Sequence, residues 1–375
     1  MLDAEHRALV ERLDDFTSRH VAPRATGYDV EGVFPAADFD DLRRDGLLLA
    51  TLSQERGGLG YHFSGSDPLA FFLMIERLAR GSASTAHCFQ VHSNGLQLLE
   101  RFGSEEQVAR FVEPSRTQGM AFVGSAAEPG GTRDGTVARK VPGGYMVTGM
   151  KHYATNATHS KWMIVFVKAE DTQKLQPMAI DTASQGLTID AAFYRANGMR
   201  ACVSPMLIFK DCFVPDECVL GLSGAYLQEH WPARINLGFT ANYIGSVDAM
   251  LEWSVGYAKQ RGPVTNTVYL SHIGELRCRL DATRLLFYHA VRLTQTDRQA
   301  GILAGQKAKW LAVGLVSRTI DLVGQFTGST AMFTQFPLER MIRDMQQHTL
   351  HRRHHPGAVV VAHHELGQDY DLNQS

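Results

Sequence analysis

The chain has 375 residues, 44% of them hydrophobic, and its 37 basic and 39 acidic side chains leave a formal net charge of −2. This length predicts two or three packed units, and the charge balance argues against nucleic acid or an anionic membrane as the main partner. Five scattered cysteines without a C-x-x-C pair, no signal-like start and no membrane-length apolar run together predict a reduced, soluble, cytoplasmic protein.

Residues 1–118 are predicted to form an α-helical domain. The first stretch, HRALVERLDDFTSRHVAP, repeats its apolar residues at mostly helical spacing. Asp67 is placed to cap a helix whose first position is Pro68. Ser104 followed by Gln107 forms a capping-box pattern at the start of another helix.

Residues 119–224 have the pattern of a β domain. The segments GGYMVTGMKHYAT, KWMIVFVKA and SPMLIFKDCFVP are short and rich in apolar residues, which is typical of strands. Turn-rich loops such as AEPGGTRDG separate them. We expect a compact all-β unit between two helical ones.

Residues 225–375 are predicted to form a helical bundle. Three long amphipathic runs dominate this part, and the third is AGQKAKWLAVGLVSRTIDLVGQF. Because the bundle is so apolar, we expect it to bury one face against other subunits. The periodicity therefore predicts an α+β protein in the order helices, β domain, helices.

Several motifs in a fixed order resemble the acyl-CoA dehydrogenase superfamily from end to end. They are LRRDGLLLATLSQERGGLGY, IERLARGSASTAH, RFGSEEQVARFV and FKDCFVPDECVLG. The resemblance implies an N-terminal α-helical domain, a middle β-barrel domain and a C-terminal four-helix bundle. It also implies a flavin between the β domain and the bundles, and a homotetramer.

Both positions at which this family carries its catalytic glutamate hold other residues. One position lies nine residues after the arginine of an Arg-Asp pair; counting from Arg343 and Asp344 it falls on Arg352, and a guanidinium cannot abstract a proton. The other precedes an arginine early in the C-terminal domain, here Arg234, and is occupied by Ala233.

The segment RDMQQHTLH is similar instead to the flavin-dependent monooxygenase branch of the superfamily, the dibenzothiophene monooxygenase-like enzymes, which carry the same His-Thr-Leu-His sequence near the end of the chain. The segments GMKHYATN, TGSTAMF and AAEPGGTRDG favour the same branch, and the last lacks the residues that hold the pyrophosphate of FAD. This resemblance implies reduced FMN from a separate flavin reductase, O2 and a C4a-(hydro)peroxyflavin that oxygenates a small organic substrate. FAD remains possible as the cofactor.

Three residues are candidates for catalysis on this resemblance. His351 is the first choice, because a histidine near neutral pKa can manage a proton during oxygenation; a helix-end histidine bonded to a carbonyl is the competing interpretation. His348, three residues earlier, shares a helical face with it and is more typical of a supporting residue. Thr155 matches a hydroxyl residue that the family places against the flavin edge.

The resemblance further implies a set of cofactor contacts. Arg261 matches an arginine that reaches a flavin phosphate across a subunit boundary, and a solvated helix-end arginine is the alternative. His92 is a candidate for the substrate pocket, with a hydrogen-bonded core histidine as the alternative. The expected cofactor-binding residues are Ser125, Tyr153, Thr155, Asn156, Arg261, Gln325 and Gly328.

No metal site is predicted. The histidines His354, His355, His363 and His364 come as adjacent pairs, which cannot point the same way on a helix, and no cysteine or carboxylate set accompanies them. Two other functions stay open: an FAD-dependent acyl-CoA dehydrogenase or oxidase with a displaced base, and a non-catalytic subunit of a hetero-oligomeric dehydrogenase.

Overall fold

The computed structural model describes residues 2–65, 67–131, 135–221 and 223–374. Helices occupy the first part of the chain, and two predicted caps are confirmed there. The Asp67 carboxylate accepts from the Ala70 amide at 3.1 Å, and Ser104 and Gln107 form a reciprocal capping box. The helices of this part are α1 (Ala4–Phe16), α2 (Ala25–Glu31), α3 (Ala36–Arg44), α4 (Pro68–Gly81), α5 (Ala83–Phe102) and α6 (Glu105–Gln118).

A single curled sheet follows. Its strand order is β1-β4-β2-β3-β7-β6, and β5 pairs with β4. Strand β4, which pairs with β1, β2 and β5, is buried along most of its length, as its continuous apolar run predicts. The strands are β1 (Ala121–Ser125), β2 (Val137–Val141), β3 (Gly144–Lys151), β4 (Ser160–Ala169), β5 (Leu175–Asp181), β6 (Leu187–Asp190) and β7 (Met206–Pro215).

Long helices form the last part. Helix α8 is buried over most of its length because it packs on α4, α9 and α10 at once. Helices α9 and α10 pair side by side, and Asp297 between them caps α10 through the Ala300 amide. The helices are α7 (Ala225–Gln228), α8 (Trp231–Gln260), α9 (Thr267–Thr296), α10 (Arg298–Thr327), α11 (Pro337–His348) and α12 (His355–Glu365).

The Arg343–Asp344 pair anchors α11 to the rest of the protein. Asp344 is buried, accepts from the Met199 amide at 2.6 Å and contacts Arg340 at 3.3 Å. Arg343 reaches Asp29 on α2 at 2.7 Å. The loop that carries Met199 passes so near that a Cβ on Gly198 would lie 2.0 Å from the carbonyl oxygen of Arg343. These contacts set the position in which the end of α11 enters the interior.

In the part of the chain that the structure describes, no helix combines the length and the apolar character needed to cross a membrane.

Candidate functional site

The end of α11 opens into a cavity of about 350 Å³ between the helices and the sheet. This volume is within the range of small-molecule and cofactor sites. One wall is a face of α5, another is the end of β1, and α8 closes a third side. The lining residues are His87, Gln90, Val91, Asn94, Leu98, Gly124, Ser125, Ala126, Ala127, Tyr153, Thr155, Phe166, Tyr194, Ser204, Tyr226, Ile235, Phe239, Gln347, Leu350, His351 and Arg352.

Three histidines meet at this cavity. His87 comes from α5, His348 is the last residue of α11, and His351 lies in the turn that follows. The Nδ1 atoms of His348 and His351 are 3.1 Å apart, and one ring nitrogen from each of the three residues lies within 4.8 Å of the other two. His87 and His351 line the cavity, whereas His348 is fully buried behind them.

The three imidazoles are neutral at pH 7. Burial lowers the pKa of His87 to about 3 and that of His351 to about 4, because a charged ring loses its hydration there. Burial also places the pKa of His348 well below its usual value, and His87 and His351 add to the effect. Neutral imidazole carries one donor and one acceptor, so this cluster can pass or present a proton without holding a charge.

The burial of one ring nitrogen of His348 determines the tautomers of His348 and His351. His348 Nε2 is buried and has no hydrogen-bond partner among the described residues. If Nε2 carried the proton, a hydrogen-bond donor would be buried without an acceptor, which would destabilise the folded state. We infer that the proton is on Nδ1 of His348 and is donated to Nδ1 of His351. His351 then presents Nε2–H as its donor.

Hydroxyl groups also line the cavity. The hydroxyls of Thr155 and Ser204 are 2.7 Å apart, and Tyr194, which donates to the Met199 carbonyl at 3.0 Å, lies beside them. The Ser125 hydroxyl is buried without a partner among the described residues. Tyr153 lines the cavity with a left-handed backbone (φ 55°), a strained conformation of the kind that clusters at functional sites.

A buried ion pair supports this side of the site. Lys151 Nζ and the Glu128 carboxylate are 2.5 Å apart, and both side chains are almost fully buried. Glu128 also accepts from the amides of Gly135 and Thr136 at 2.7 and 3.0 Å. It thereby ties the end of the AEPGGTRDG loop to the sheet; the middle of that loop, residues 132–134, lies outside the described residues.

Two of the sequence-predicted residues that do not line the cavity belong to α5 or contact it. His92 is fully buried on the other side of α5, where its ring contacts the Leu48 carbonyl and accepts from the Phe122 amide, both at 2.9 Å. His92 therefore does not line this cavity, and its hydrogen bonds fit the alternative of a bonded core histidine. Asn156 donates to the carbonyls of Cys88 and Phe122 at 2.9 and 3.0 Å, so it joins α5 to β1 and does not line the cavity.

His87 was missed by the sequence analysis, although helical spacing could have found it. His87, Gln90, Asn94 and Leu98 follow each other at intervals of three or four and share the face of α5 that lines the cavity. His92 is five residues from His87 and falls on the opposite face. Because α5 carries both His87 and His92, the sequence alone did not show which of the two histidines lines the cavity.

Three other predicted cofactor residues lie together elsewhere. Arg261, just after α8, donates to the Thr327 carbonyl at 2.7 Å, and Gly328 follows with φ 81°. A Cβ on Gly328 would be 3.3 Å from the Arg261 guanidinium. Gln325 is exposed and bonds back to the Asp321 carbonyl. None of the three lines the cavity.

Models of three acyl-CoA dehydrogenase domains match almost the whole chain: the N-terminal domain over residues 3–118, the middle domain over 107–212 and the C-terminal domain over 237–356. The protein belongs to the acyl-CoA dehydrogenase superfamily. The predicted fold is confirmed, with the middle domain a curled sheet, and the protein is a member of a flavin-dependent oxidoreductase family.

Proteins similar to this chain in sequence include several acyl-CoA dehydrogenases, and similar solved structures include both dehydrogenases and a monooxygenase. Human mitochondrial short-chain specific acyl-CoA dehydrogenase is 27% identical over 361 residues, covering 92% of this chain and 85% of the relative. Benzylmalonyl-CoA dehydrogenase of Aromatoleum aromaticum is 26% identical, with 92% and 93% covered. Among solved structures, a glutaryl-coenzyme A dehydrogenase superposes with a TM-score of 0.90 at 20% identity, covering 99% of this chain and 97% of the other.

FMN-bound TdsC from Paenibacillus sp. A11-2, a dibenzothiophene monooxygenase, superposes with a TM-score of 0.86 at 20% identity, covering 97% of this chain and 98% of the other. At such identities the structural likeness shows the shared fold. The activity must be argued from the site itself.

Proposed function

We propose that the protein is a two-component flavin-dependent monooxygenase that uses reduced flavin and O2 to oxygenate a small organic substrate. The observation that carries this proposal is the chemistry of the cavity wall. It has no aspartate or glutamate among its described lining residues, and three neutral histidines cluster at one end.

The dehydrogenase reaction of this superfamily removes a substrate proton with a carboxylate. The position that follows Arg343–Asp344 by the family spacing is Arg352, which does line the cavity. Its guanidinium donates to the Asn236 side chain at 3.0 Å and stays protonated, so it cannot act as the base. The preceding turn supplies His351, whose lowered pKa makes it a weak base at pH 7 but leaves it a competent hydrogen-bond donor.

The hydroxyl-lined side of the cavity fits a flavin. Ser125 brings a buried hydroxyl that lacks a partner among the described residues, and the Thr155–Ser204 pair brings two more polar atoms. Backbone groups of residues 124–127 lie in the same wall. A planar, polar-edged ring system with several acceptors and donors matches this combination, and FMN is preferred because the FAD pyrophosphate motif is absent from the sequence.

When bound, reduced flavin supplies the electrons that activate O2. The residues of the chain do the rest. His351 donates a hydrogen bond from Nε2 and stabilises developing negative charge on oxygen, while His348 holds that ring in its tautomer through the Nδ1 contact. His87 supplies a second neutral imidazole beside it. Phe166, Phe239 and Leu98 keep the space apolar and exclude water.

The proposal includes partners. A separate flavin reductase supplies the reduced cofactor, and the protein works as a cytoplasmic homotetramer. Large apolar side chains remain exposed on the outer helices, among them Leu285 on α9 and both Trp310 and Leu311 on α10. Exposed apolar surface of this kind is typical of a subunit interface.

The experiment that tests this proposal mixes the enzyme with reduced FMN and then with O2. A monooxygenase site delays the appearance of oxidised flavin and of H2O2, because the cavity protects the activated oxygen from water. With substrate present, isotope from 18O2 enters the product. Immediate release of H2O2 with every substrate offered would contradict the proposal.

A second candidate, an FAD-dependent acyl-CoA dehydrogenase with a displaced base, is favoured by the names of the sequence relatives. Here the enzyme would co-purify with FAD, and an acyl-CoA would bleach the flavin anaerobically. A chain that bound neither flavin would instead be the non-catalytic subunit.

A further inference from the structure

A second cavity, of about 230 Å³, lies between the start of α8, the turn from α9 to α10 and the loop at residues 63–65. It shares no lining residue with the flavin cavity. The two neighbours Arg234 and Ile235 on α8 face different cavities, Arg234 this one and Ile235 the other. The wall is mainly polar and includes Ser64, Gly65 and Thr294.

Arg234 is the unusual member of this wall. Arg234 is only 6% exposed. Among the described residues, no carboxylate lies within ion-pair distance of its guanidinium group. The Arg234 guanidinium carbon lies 5.2 Å from the centroid of the Trp231 ring. Glu229, whose charge acts on Arg234, is already paired with Arg101 at 2.6 Å and accepts from the Trp231 indole at 3.2 Å.

A second arginine faces the same space. Arg298, the first residue of α10, lines the cavity from the exposed side. Burial, followed by the charge of Arg298, lowers the pKa of Arg234 to about 10. Arg234 therefore keeps its positive charge at pH 7, and the side chains of two arginines share one small polar space. Such an arrangement is unfavourable unless an anion neutralises it.

Other buried arginines in the described chain show the usual arrangement. Arg340 pairs with Asp344, and Arg77 with Glu76. Arg234 differs because no carboxylate among the described residues pairs with it, and its side chain faces a cavity. Two guanidinium groups around one cavity match the planar, multi-oxygen geometry of a carboxylate or phosphate.

We propose that the cavity lined by Arg234 and Arg298 is a binding site for a small oxyanion, either inorganic phosphate or a small carboxylate. Arg234 provides the buried charge, Arg298 closes the site from solvent, and Ser64 and Gly65 offer further donors at the rim. The site is separate from the flavin cavity, so this proposal does not depend on which reaction the flavin carries out.

Isothermal titration calorimetry tests the proposal on the full chain, with phosphate and acetate titrated separately at an ionic strength held constant by chloride. The wild type is expected to bind one anion per chain, and the tighter of the two anions identifies the class. Arg298→Gln should weaken binding at least tenfold, the loss expected for one charged hydrogen bond. The matched control is Arg195→Gln, an exposed arginine of the β domain, which should leave binding unchanged.

A second variant covers the case in which a polar change disturbs folding. Arg234→Met removes the buried charge and should abolish anion binding while keeping the melting temperature in anion-free buffer at or above that of the wild type. Repeating the titration with saturating FMN should give the same affinity. Absence of binding in the wild type, equal binding in Arg298→Gln, or loss of the signal with FMN would each overturn the proposal.

Discussion

The Nδ1 atoms of His348 and His351 lie 3.1 Å apart at the end of α11, and both rings are neutral at pH 7. Neither ring can therefore attract the other as an ion. The contact is a hydrogen bond between two neutral imidazoles, and it determines which nitrogen of His351 is a donor. The buried histidine orients the cavity-facing one, as a carboxylate commonly orients a catalytic histidine in other enzymes.

Replacing His351 with alanine should remove the donor and lower coupled oxygenation by about 100-fold, a typical contribution of one proton-managing group. Flavin affinity should change little, because the hydroxyl-lined wall is untouched. Product yield per reduced flavin and flavin binding measured by fluorescence check the two parts. His355→Ala, at an exposed position outside the cavity, is the matched control. An unchanged product yield would remove His351 from the mechanism.

The contribution of His87 and His351 to stability should fall as the pH is lowered from about 6.5 to about 4. The folded-state pKa values of His87 and His351, about 3 and about 4, lie below the ordinary value of 6.5. In this window the unfolded chain binds protons that the folded chain does not, so acid favours unfolding. Urea midpoints measured at several pH values check this.

A His87→Gln, His351→Gln double variant should show a flatter fall over the same range, since it removes two groups that charge on unfolding. A slope equal to that of the wild type would contradict the assigned protonation states.

Lys151→Met should lower the free energy of unfolding by about 3 kcal/mol, because it breaks an ion pair between two almost fully buried side chains. The same change should weaken flavin binding, since Glu128 holds the amides of Gly135 and Thr136. Lys161→Met is the control. It breaks the exposed pair with Asp181 and should cost less than about 1 kcal/mol.

Thr155→Val keeps the side-chain volume but deletes the hydroxyl that is 2.7 Å from Ser204. We expect flavin affinity to fall about tenfold, corresponding to the loss of one hydrogen bond of about 1.4 kcal/mol. Equilibrium titration of FMN measures it. Thr158→Val, three residues along the chain and outside the cavity, should bind FMN like the wild type.

Local sequence patterns predicted the helices and strands well. Asp67 and Ser104 cap helices as their spacing indicates, since a cap needs only residues within one turn. The apolar run of β4 identified a buried strand for the same local reason. The Arg343–Asp344 pair located the place where a base is expected, and the structure puts both Arg352 and His351 in the cavity wall.

The sequence by itself determined the order of helices and sheet, the absence of the usual glutamates and the candidacy of His351, because these depend on residue type and short-range spacing. Only the tertiary structure decided that His87 and not His92 meets His348 and His351, and that Arg234 faces Arg298 instead of an acid. Those choices depend on which face of α5 or α8 packs against distant segments. That packing is set by the whole core, and no short window of sequence contains it.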